Sequence, residues 1–231
     1  MYGRNPVREA LAAGRRGVHR VWALPGLAGE AWLAGAPVEE RGRDALGRAA
    51  GTGDHQGVVA FCDPYPYATP AEVLDAEGPV LCLDGIQDPR NLGAVARVAE
   101  AAGAAGILMT RRGSPGVTPV ACKASAGAVE HLRIARADNL AAIVHDAPGH
   151  DRWSAGADAE RGEDYRGVPW DDRAIIVVGA EGEGLRPRLR AVCDRLVAIP
   201  MGGRVSSLNL SVAAALLLFE VARAREGPDP R

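Results

Sequence analysis

Three short polar segments of this chain carry residue types able to hold an anion or orient a nucleophile, and each follows an apolar run. The first, Asp84-Gly-Ile-Gln-Asp-Pro-Arg-Asn91, leads into Leu92-Gly-Ala-Val-Ala-Arg-Val-Ala-Glu100. At about 100° per residue, Leu92, Val95, Ala96 and Ala99 share one helical face, while Gly93, Arg97 and Glu100 share another. Asn91 is expected to cap this helix. Gly93, one turn before Arg97, is expected to leave room beside the guanidinium for a bulky partner; the plainer reading is a solvated Arg97–Glu100 pair. The second segment, Gly179-Ala-Glu-Gly-Glu-Gly-Leu185, directly follows Ala174-Ile-Ile-Val-Val178. Its glycines expose main-chain groups to anything lying over the strand end, and Glu181 or Glu183 is placed to meet a cation or cap a helix. The pattern is not G-x-G-x-x-G, and no G-K-[ST] phosphate loop occurs, so a dinucleotide or nucleoside triphosphate site is unsupported. The third segment runs from Ile199-Pro-Met-Gly-Gly-Arg to Val-Ser-Ser-Leu-Asn-Leu-Ser211 and enters an apolar run ending at Phe219. Taken alone it is a strand-to-helix turn in which the two serines, Ser206 and Ser207, cap the helix.

These segments need a scaffold that brings strand ends together. Apolar stretches at Val80 to Leu83, Gly106 to Thr110, Ala174 to Gly179 and Leu196 to Ile199 each precede a helix-like stretch, the signature of a parallel sheet with crossover helices. Leu132 to Ala135 reads as a further strand and Asn139 to His145 as a helix, whereas His150 to Asp172 reads as a surface excursion. In open sheets of this kind ligands sit beyond the carboxyl ends of the strands, where all three segments fall. Upstream, a helix at Pro6 to Ala13, strands at His19 to Leu24 and Gly57 to Phe61, and a polar helix at Glu39 to Ala50 describe a smaller α/β unit. Asp63-Pro-Tyr-Pro-Tyr-Ala-Thr-Pro70 joins the two as a stiff connector. The expected division is therefore 1–63, a proline-rich linker at 64–75, and 76–231.

With 231 residues, 47% hydrophobic but only 4% aromatic, and 29 glycines, the chain packs through Ala, Val and Leu as α/β proteins do. The net charge of -2 gives no global pull toward nucleic acid. The charge is uneven, though: Arg4, Arg8, Arg15, Arg16 and Arg20 face only Glu9 near the start, which makes an anion-binding N-terminus an expectation. The four cysteines, Cys62, Cys82, Cys122 and Cys193, lack paired spacing and read as small core residues of a reduced compartment. No signal-peptide pattern or membrane-length apolar stretch is seen, and no metal site is indicated. A cytoplasmic protein is expected.

Asn91-x-Gly93-x-x-x-Arg97, Gly179-Ala-Glu181-Gly-x-Gly-Leu185 and Ile199-Pro-Met-x-Gly203-x-x-x-Ser207-Leu-Asn209-x-Ser211, in that order, resemble the three signature motifs of the SpoU (TrmH) family of RNA ribose 2′-O-methyltransferases. The resemblance extends from about Val80 to Ala224 and includes Arg111-Arg112 and Lys123-x-Ser-Ala-Gly-Ala128. Tyr2-Gly-Arg-Asn-Pro-Val-Arg-Glu-Ala-Leu11 and His55-Gln-Gly-Val-Val-Ala60 are similar to the ends of the accessory domain of the RlmB-like branch, itself similar to ribosomal protein L30e and thought to hold RNA. The resemblance implies a SPOUT α/β fold with a C-terminal trefoil knot, plus a small L30e-like domain, working as a homodimer. It implies S-adenosylmethionine lying against Gly179, Ile199 and Leu208 with Met201 completing the wall, and Arg97 beside the target ribose. It also makes Asn91, Glu181, Ser207 and Asn209 the matched polar residues of the site. Arg97 acts either as a general base or, since arginine stays protonated, as an electrostatic clamp on the neighbouring phosphate. The implied substrate is RNA, with a guanosine of 23S ribosomal RNA favoured; transfer RNA, or a catalytically silent RNA-binding role, are the alternatives. An unknotted methyltransferase fits less well, because only Gly85 stands in the turn after Val80 to Leu83.

Overall fold

The structure is a computed structural model describing residues 1–180, 184–204 and 207–225. The first unit contains α1 (Arg4–Ala13), β1 (Val18–Ala23), the short α2 (Pro25–Ala28), β2 (Val38–Glu40), α3 (Arg43–Ala50) and β3 (Val58–Cys62). Its three strands form a sheet in the order β2-β1-β3, with β1 parallel to β2 and antiparallel to β3. Val7, Val21, Ala23, Leu27, Leu33, Val58 and Ala60 make its core. The expected polar helix over Glu39 to Ala50 is shorter than its charge pattern implied. Glu39 and Glu40 belong to β2, since α3 starts only at Arg43, after its N-cap Gly42, and pairing with β1 claims the residues before it.

The second unit contains α4 (Pro70–Leu74), β4 (Val80–Leu83), α5 (Pro89–Ala101), β5 (Gly106–Thr110), α6 (Pro119–Ala124), β6 (Arg133–Ala137), α7 (Leu140–His145), β7 (Trp153–Ala157), β8 (Glu163–Asp164), β9 (Ala174–Val178), α8 (Pro187–Arg190), β10 (Arg195–Ala198) and α9 (Leu210–Arg225). Among the described residues these strands form one sheet ordered β6-β5-β4-β9-β7-β10-β8, with every pairing parallel. The central strands β4, β5 and β9 are buried along their whole length, as strands covered on both faces must be. One face is sealed by α5, α6 and α9, where Leu92, Val95, Ala96 and Ala99 meet Leu210, Ala214, Leu217, Leu218 and Val221. At roughly 1.5–3 kcal/mol for each large side chain buried, Leu217 and Leu218 anchor the last helix strongly. The other face is sealed by α4, α7 and α8 through Val73, Leu140, Val144 and Leu189.

The stretch from His150 to Asp172 is not a surface excursion. It supplies β7, which lies between β9 and β10, and the edge strand β8. The Trp-Ser-Ala-Gly-Ala sequence of β7 lacks the β-branched signal of a central strand because its neighbours press close. A Cβ on Gly156 would lie 2.7 Å from Leu185 Cδ1 and 3.0 Å from Cys193 Sγ. Arg152, buried at the start of this stretch, donates to the carbonyls of Leu74, Ala76, Gly78 and Asp172, and so fixes the approach to β4.

The two units are docked on each other. Tyr65, buried in the proline-rich stretch, sends its hydroxyl to the carbonyls of Leu132 (2.6 Å) and Val129 (3.1 Å), and Ala68 N–H donates to Ile134 O at 3.0 Å alongside β6. Arg16 forms a buried ion pair with Glu130, whose side chains are 6% and 1% exposed. Burial alone would lower the arginine's proton affinity, but the hydrogen bonds and charge of Glu130 raise it above the usual value. A Cβ on Gly127, which has φ +95°, would sit 2.6 Å from Glu9 Cβ, so α1 approaches this turn closer than a side chain would permit.

Candidate functional site at the carboxyl edge of the sheet

Strand order reverses at the β4–β9 pair: the chain builds outward from β4 through β5 to β6, then returns on the other side. Such a switch point opens a crevice at the carboxyl ends of the strands. The loop leaving β4 and the loop leaving β9 meet there. Asp84, 3% exposed, donates its N–H to Val178 O at 2.9 Å and accepts the Arg186 N–H at 3.2 Å, with Arg186 Nε 3.5 Å from its other oxygen. Gly85, at φ +92°, touches Ala180: an added Cβ would be 3.0 Å from the alanine's own. Asp84 was not singled out from sequence, although a carboxylate directly after a four-residue apolar strand must be buried and therefore partnered.

In the second segment Gly179 has a steric reason to be glycine. A Cβ there would lie 2.1 Å from both the carbonyl carbon and oxygen of Gly184, because the loop folds back on itself through Gly184 N–H to Ala180 O at 3.1 Å. Gly184 takes φ +65°, the left-handed region that glycine occupies without penalty. Glu181 lies outside the described residues.

In the third segment Ile199 is half-buried against the core, while Met201, 38% exposed, stands beside Gly202 and Gly203 with open space around both. Ser207 is exposed and Leu208 half-buried. The cap of α9 is Asn209 rather than the serines: its Oδ1 accepts the Ser211 N–H at 2.9 Å and hydroxyl at 2.6 Å, while its carbonyl accepts from Val212 and Ala213. Ser207 precedes the cap and remains available at the surface, and Ser206 lies outside the described residues. Register places Asp158, just past β7, level with Gly179 and Ala198 on its two neighbours. The second and third loops are thus about two strand spacings, roughly 10 Å, apart. Asp158 lies between them in the order of the strands; its side chain, 7% exposed, accepts from the amides of Glu160 and Arg161 and stands 2.8 Å from Arg190 Nε, whose N–H is not aimed at it.

The helix after β4 corrects two expectations. It begins at Pro89 and is capped by Asp88, which accepts the Arg90 N–H at 2.7 Å, so Asn91 lies half-buried within the first turn instead of capping it. Asp-Pro is the stronger start signal, because proline fits the first helical position. Gly93 does not make room for a ligand. A Cβ there would lie 2.5 Å from Ala124 Cβ and 2.6 Å from Ala121 O, so the glycine lets α6 cross close to α5. Arg97, one turn on, clears that crossing and is exposed; among the described residues it has no ion-pair or hydrogen-bond partner, Glu100 included. It stands eight residues from Pro89, about 12 Å along the helix from the carboxyl edge. The structure therefore joins the first two loops directly, sets the third two strands away, and leaves Arg97 on the helix flank.

The N-terminal arginines do not form one anion site. Arg15 and Arg16 turn into the junction between the units, Arg8 pairs with Glu9, and Arg20 lies over the rings of Phe61 and Trp22. Arg4 lines a cleft of about 480 Å³ with Leu24, Arg43, Gln56 and Gly57, and a neighbouring cleft of about 430 Å³ is lined by Arg43, Arg48 and His55. Burial, together with the nearby Arg43 and Lys123 charges, lowers the His55 pKa. Among the described residues no His, Cys, Asp or Glu cluster is arranged to hold a metal ion, and no helix is long and apolar enough to cross a membrane.

Residues 78–219 match the SpoU rRNA Methylase family, and residues 1–68 match the family described as RNA 2′-O ribose methyltransferase substrate binding. A TrmH family tRNA/rRNA methyltransferase of Staphylococcus haemolyticus is 37% identical over 96% of this chain and 94% of its own. The fold is shared with the SpoU methyltransferase AviRb of Streptomyces viridochromogenes, at a TM-score of 0.83 and 24% identity over 98% of this chain and 89% of that one. An AdoMet-bound rRNA methyltransferase of Sinorhizobium meliloti superposes with a TM-score of 0.79 at 26% identity, covering 96% and 86%. With its motif-bearing loops gathered along one sheet edge and a substrate-binding unit docked beside them, the chain belongs to the SpoU (TrmH) methyltransferase family.

Proposed function

We propose that this protein transfers a methyl group from S-adenosylmethionine to a ribose 2′-OH of RNA, with a guanosine of 23S ribosomal RNA as the favoured target. The observation that carries the reading is the convergence of the β4 and β9 loops at the switch point, tied by Asp84 and Arg186, with the β10 loop two strands away. The donor set suits the cofactor: half-buried Ile199 and Leu208, exposed Met201, and the main chain at Gly179 offer apolar walls and neutral hydrogen-bonding groups for an adenosine. When bound, S-adenosylmethionine supplies an activated methyl group. The chain's own task is to hold the ribose in line and stabilise the charge that develops on its oxygen. Arg97 is assigned the clamp on the phosphate beside that ribose, a role suited to an exposed guanidinium without an ion-pair partner among the described residues. Ser207 and Asn209 orient the phosphate and the arginine, while Asn91 and Glu181 serve either their loops or a direct contact with the bound partners.

In this reading residues 1–63 bind RNA, 64–75 connect, and 76–231 form the knotted methyltransferase domain, working in the cytoplasm. The protein acts as a homodimer through α9, on which Val212, Leu216 and Phe219 are 45%, 38% and 50% exposed at helical spacing. The double variant L216D/F219D is expected to sediment as a monomer where the wild type sediments as a dimer; a monomeric wild type would rule the dimer out. The function is tested by mapping 2′-O-methylation in total RNA with and without the gene, alongside transfer of labelled methyl groups in vitro. No site lost on deletion sinks the reading. Cofactor binding without transfer to any RNA would instead favour a silent RNA-binding role.

A further inference from the structure

Arginines crowd the carboxyl edge on the β6 side of the candidate site. Arg111 follows β5 and Arg136 lies in β6; each donates to the other's carbonyl, Arg111 Nη2 to Arg136 O at 3.1 Å and Arg136 Nη2 to Arg111 O at 2.6 Å. This exchange ties both guanidiniums to the β5–β6 end of the sheet. A nearby carboxylate is Asp138, itself 70% exposed and 3.4 Å from Arg111 Nε; Arg112 adds a further cation, exposed and without an ion-pair partner among the described residues, beside the half-buried Arg136. Arg136 Nε is buried and has no hydrogen-bond partner among the described residues.

An aromatic surface adjoins the charges. Arg136 stacks 5.4 Å from the ring of Tyr67, which is 38% exposed and fixed through its hydroxyl, an acceptor for Val117 N–H at 2.8 Å. Tyr67 meets Tyr65 edge-on at 5.1 Å, and Tyr65 in turn lies under Arg15 and Arg16 at the junction with the N-terminal unit. Cations and rings therefore run from that junction to the end of β5, the strand beside β4. A surplus of guanidiniums fixed beside an exposed, anchored ring matches what a nucleic-acid strand presents: phosphates for the arginines and a base face for the tyrosine.

We infer that Arg111, Arg112, Arg136 and Tyr67 form a contact for a single-stranded segment of RNA, gripping the strand between the N-terminal unit and the reacting nucleotide. The inference rests on the RNA methyltransferase reading and assigns a positioning surface to it. Arg111 and Arg112 bind phosphates, Arg136 backs the ring, and Tyr67 stacks a base.

The test compares wild type, R111A/R112A and R111K/R112K in two assays. One measures binding of a short single-stranded RNA oligonucleotide across a salt series; the other measures methyl transfer to large-subunit ribosomal RNA from cells lacking the gene. R111A/R112A is expected to weaken RNA binding about tenfold and to flatten the salt dependence by about one to two in log–log slope. The loss in turnover should fall on KM more than on kcat, and the lysine pair should recover most of it. Unchanged affinity and slope in R111A/R112A, as expected if the patch meets a protein instead, overturn the inference. So does a lysine pair as defective as the alanine pair, which would mark a structural role. A wild type that methylates RNA while R111A/R112A matches it defeats only this contact; a wild type that neither binds nor methylates RNA defeats the proposed function as well.

Discussion

Arg97→Ala is expected to lower kcat by about 10²–10³-fold, the loss typical of deleting one preorganised group that stabilises developing charge. Its effect on folding should stay within about 0.5 kcal/mol, because the side chain is exposed and has no ion-pair partner among the described residues. S-adenosylmethionine affinity, read by calorimetry, should be unchanged, since the residues assigned to the cofactor lie on the β9 and β10 loops. Arg97→Lys separates the roles further. Lysine keeps the charge and loses the planar fork, so a lysine enzyme at near wild-type rate would exclude both bidentate clamping and an arginine-specific base. A decrease of less than threefold in Arg97→Ala would remove Arg97 from the reaction altogether.

Arg16→Met is expected to cost about 3–5 kcal/mol, because it leaves the Glu130 carboxylate, 1% exposed, without its counter-charge. Urea unfolding measures this directly. The apolar pair R16M/E130L should recover much of the loss, since removing both charges also removes the cost of burying them. A double variant no better than the single one would show that the pair's value lies in hydrogen-bond geometry rather than charge compensation. The junction is also acid-sensitive through Glu9. The hydrogen bond to His131 is the main influence holding its carboxyl below the usual glutamate value, against a smaller opposing effect of burial and with help from Arg8. A carboxylate lowered on folding contributes stability that is present above its unfolded pKa and lost as pH falls through the folded one. Docking of the two units therefore weakens on the acid side of the ordinary glutamate range. Arg16, whose proton affinity is raised, stays charged throughout and adds nothing to that dependence.

Local pattern determined much of this protein. The α5 stripe of Leu92, Val95, Ala96 and Ala99, the continuous apolar runs of β4, β5 and β9, and the three polar segments after strands were all legible, because periodicity and punctuation follow from burial on fixed faces. The order of the motifs was equally plain, since their spacing needs no knowledge of contacts. Tertiary structure alone decided what depends on a distant neighbour. Asp88 rather than Asn91 caps α5, and Asn209 rather than a serine caps α9, because the chain path selects among several residues each able to cap. Gly93 is glycine for the approach of α6, not to leave space for a ligand, and a side chain on Gly179 would collide with Gly184. Arg15 and Arg16 were removed from an apparent anion site by partners more than a hundred residues away. The small residues of β7 gave no strand signal, because that signal reports a side chain's own bulk, whereas a place between β9 and β10 is set by how closely the neighbours pack.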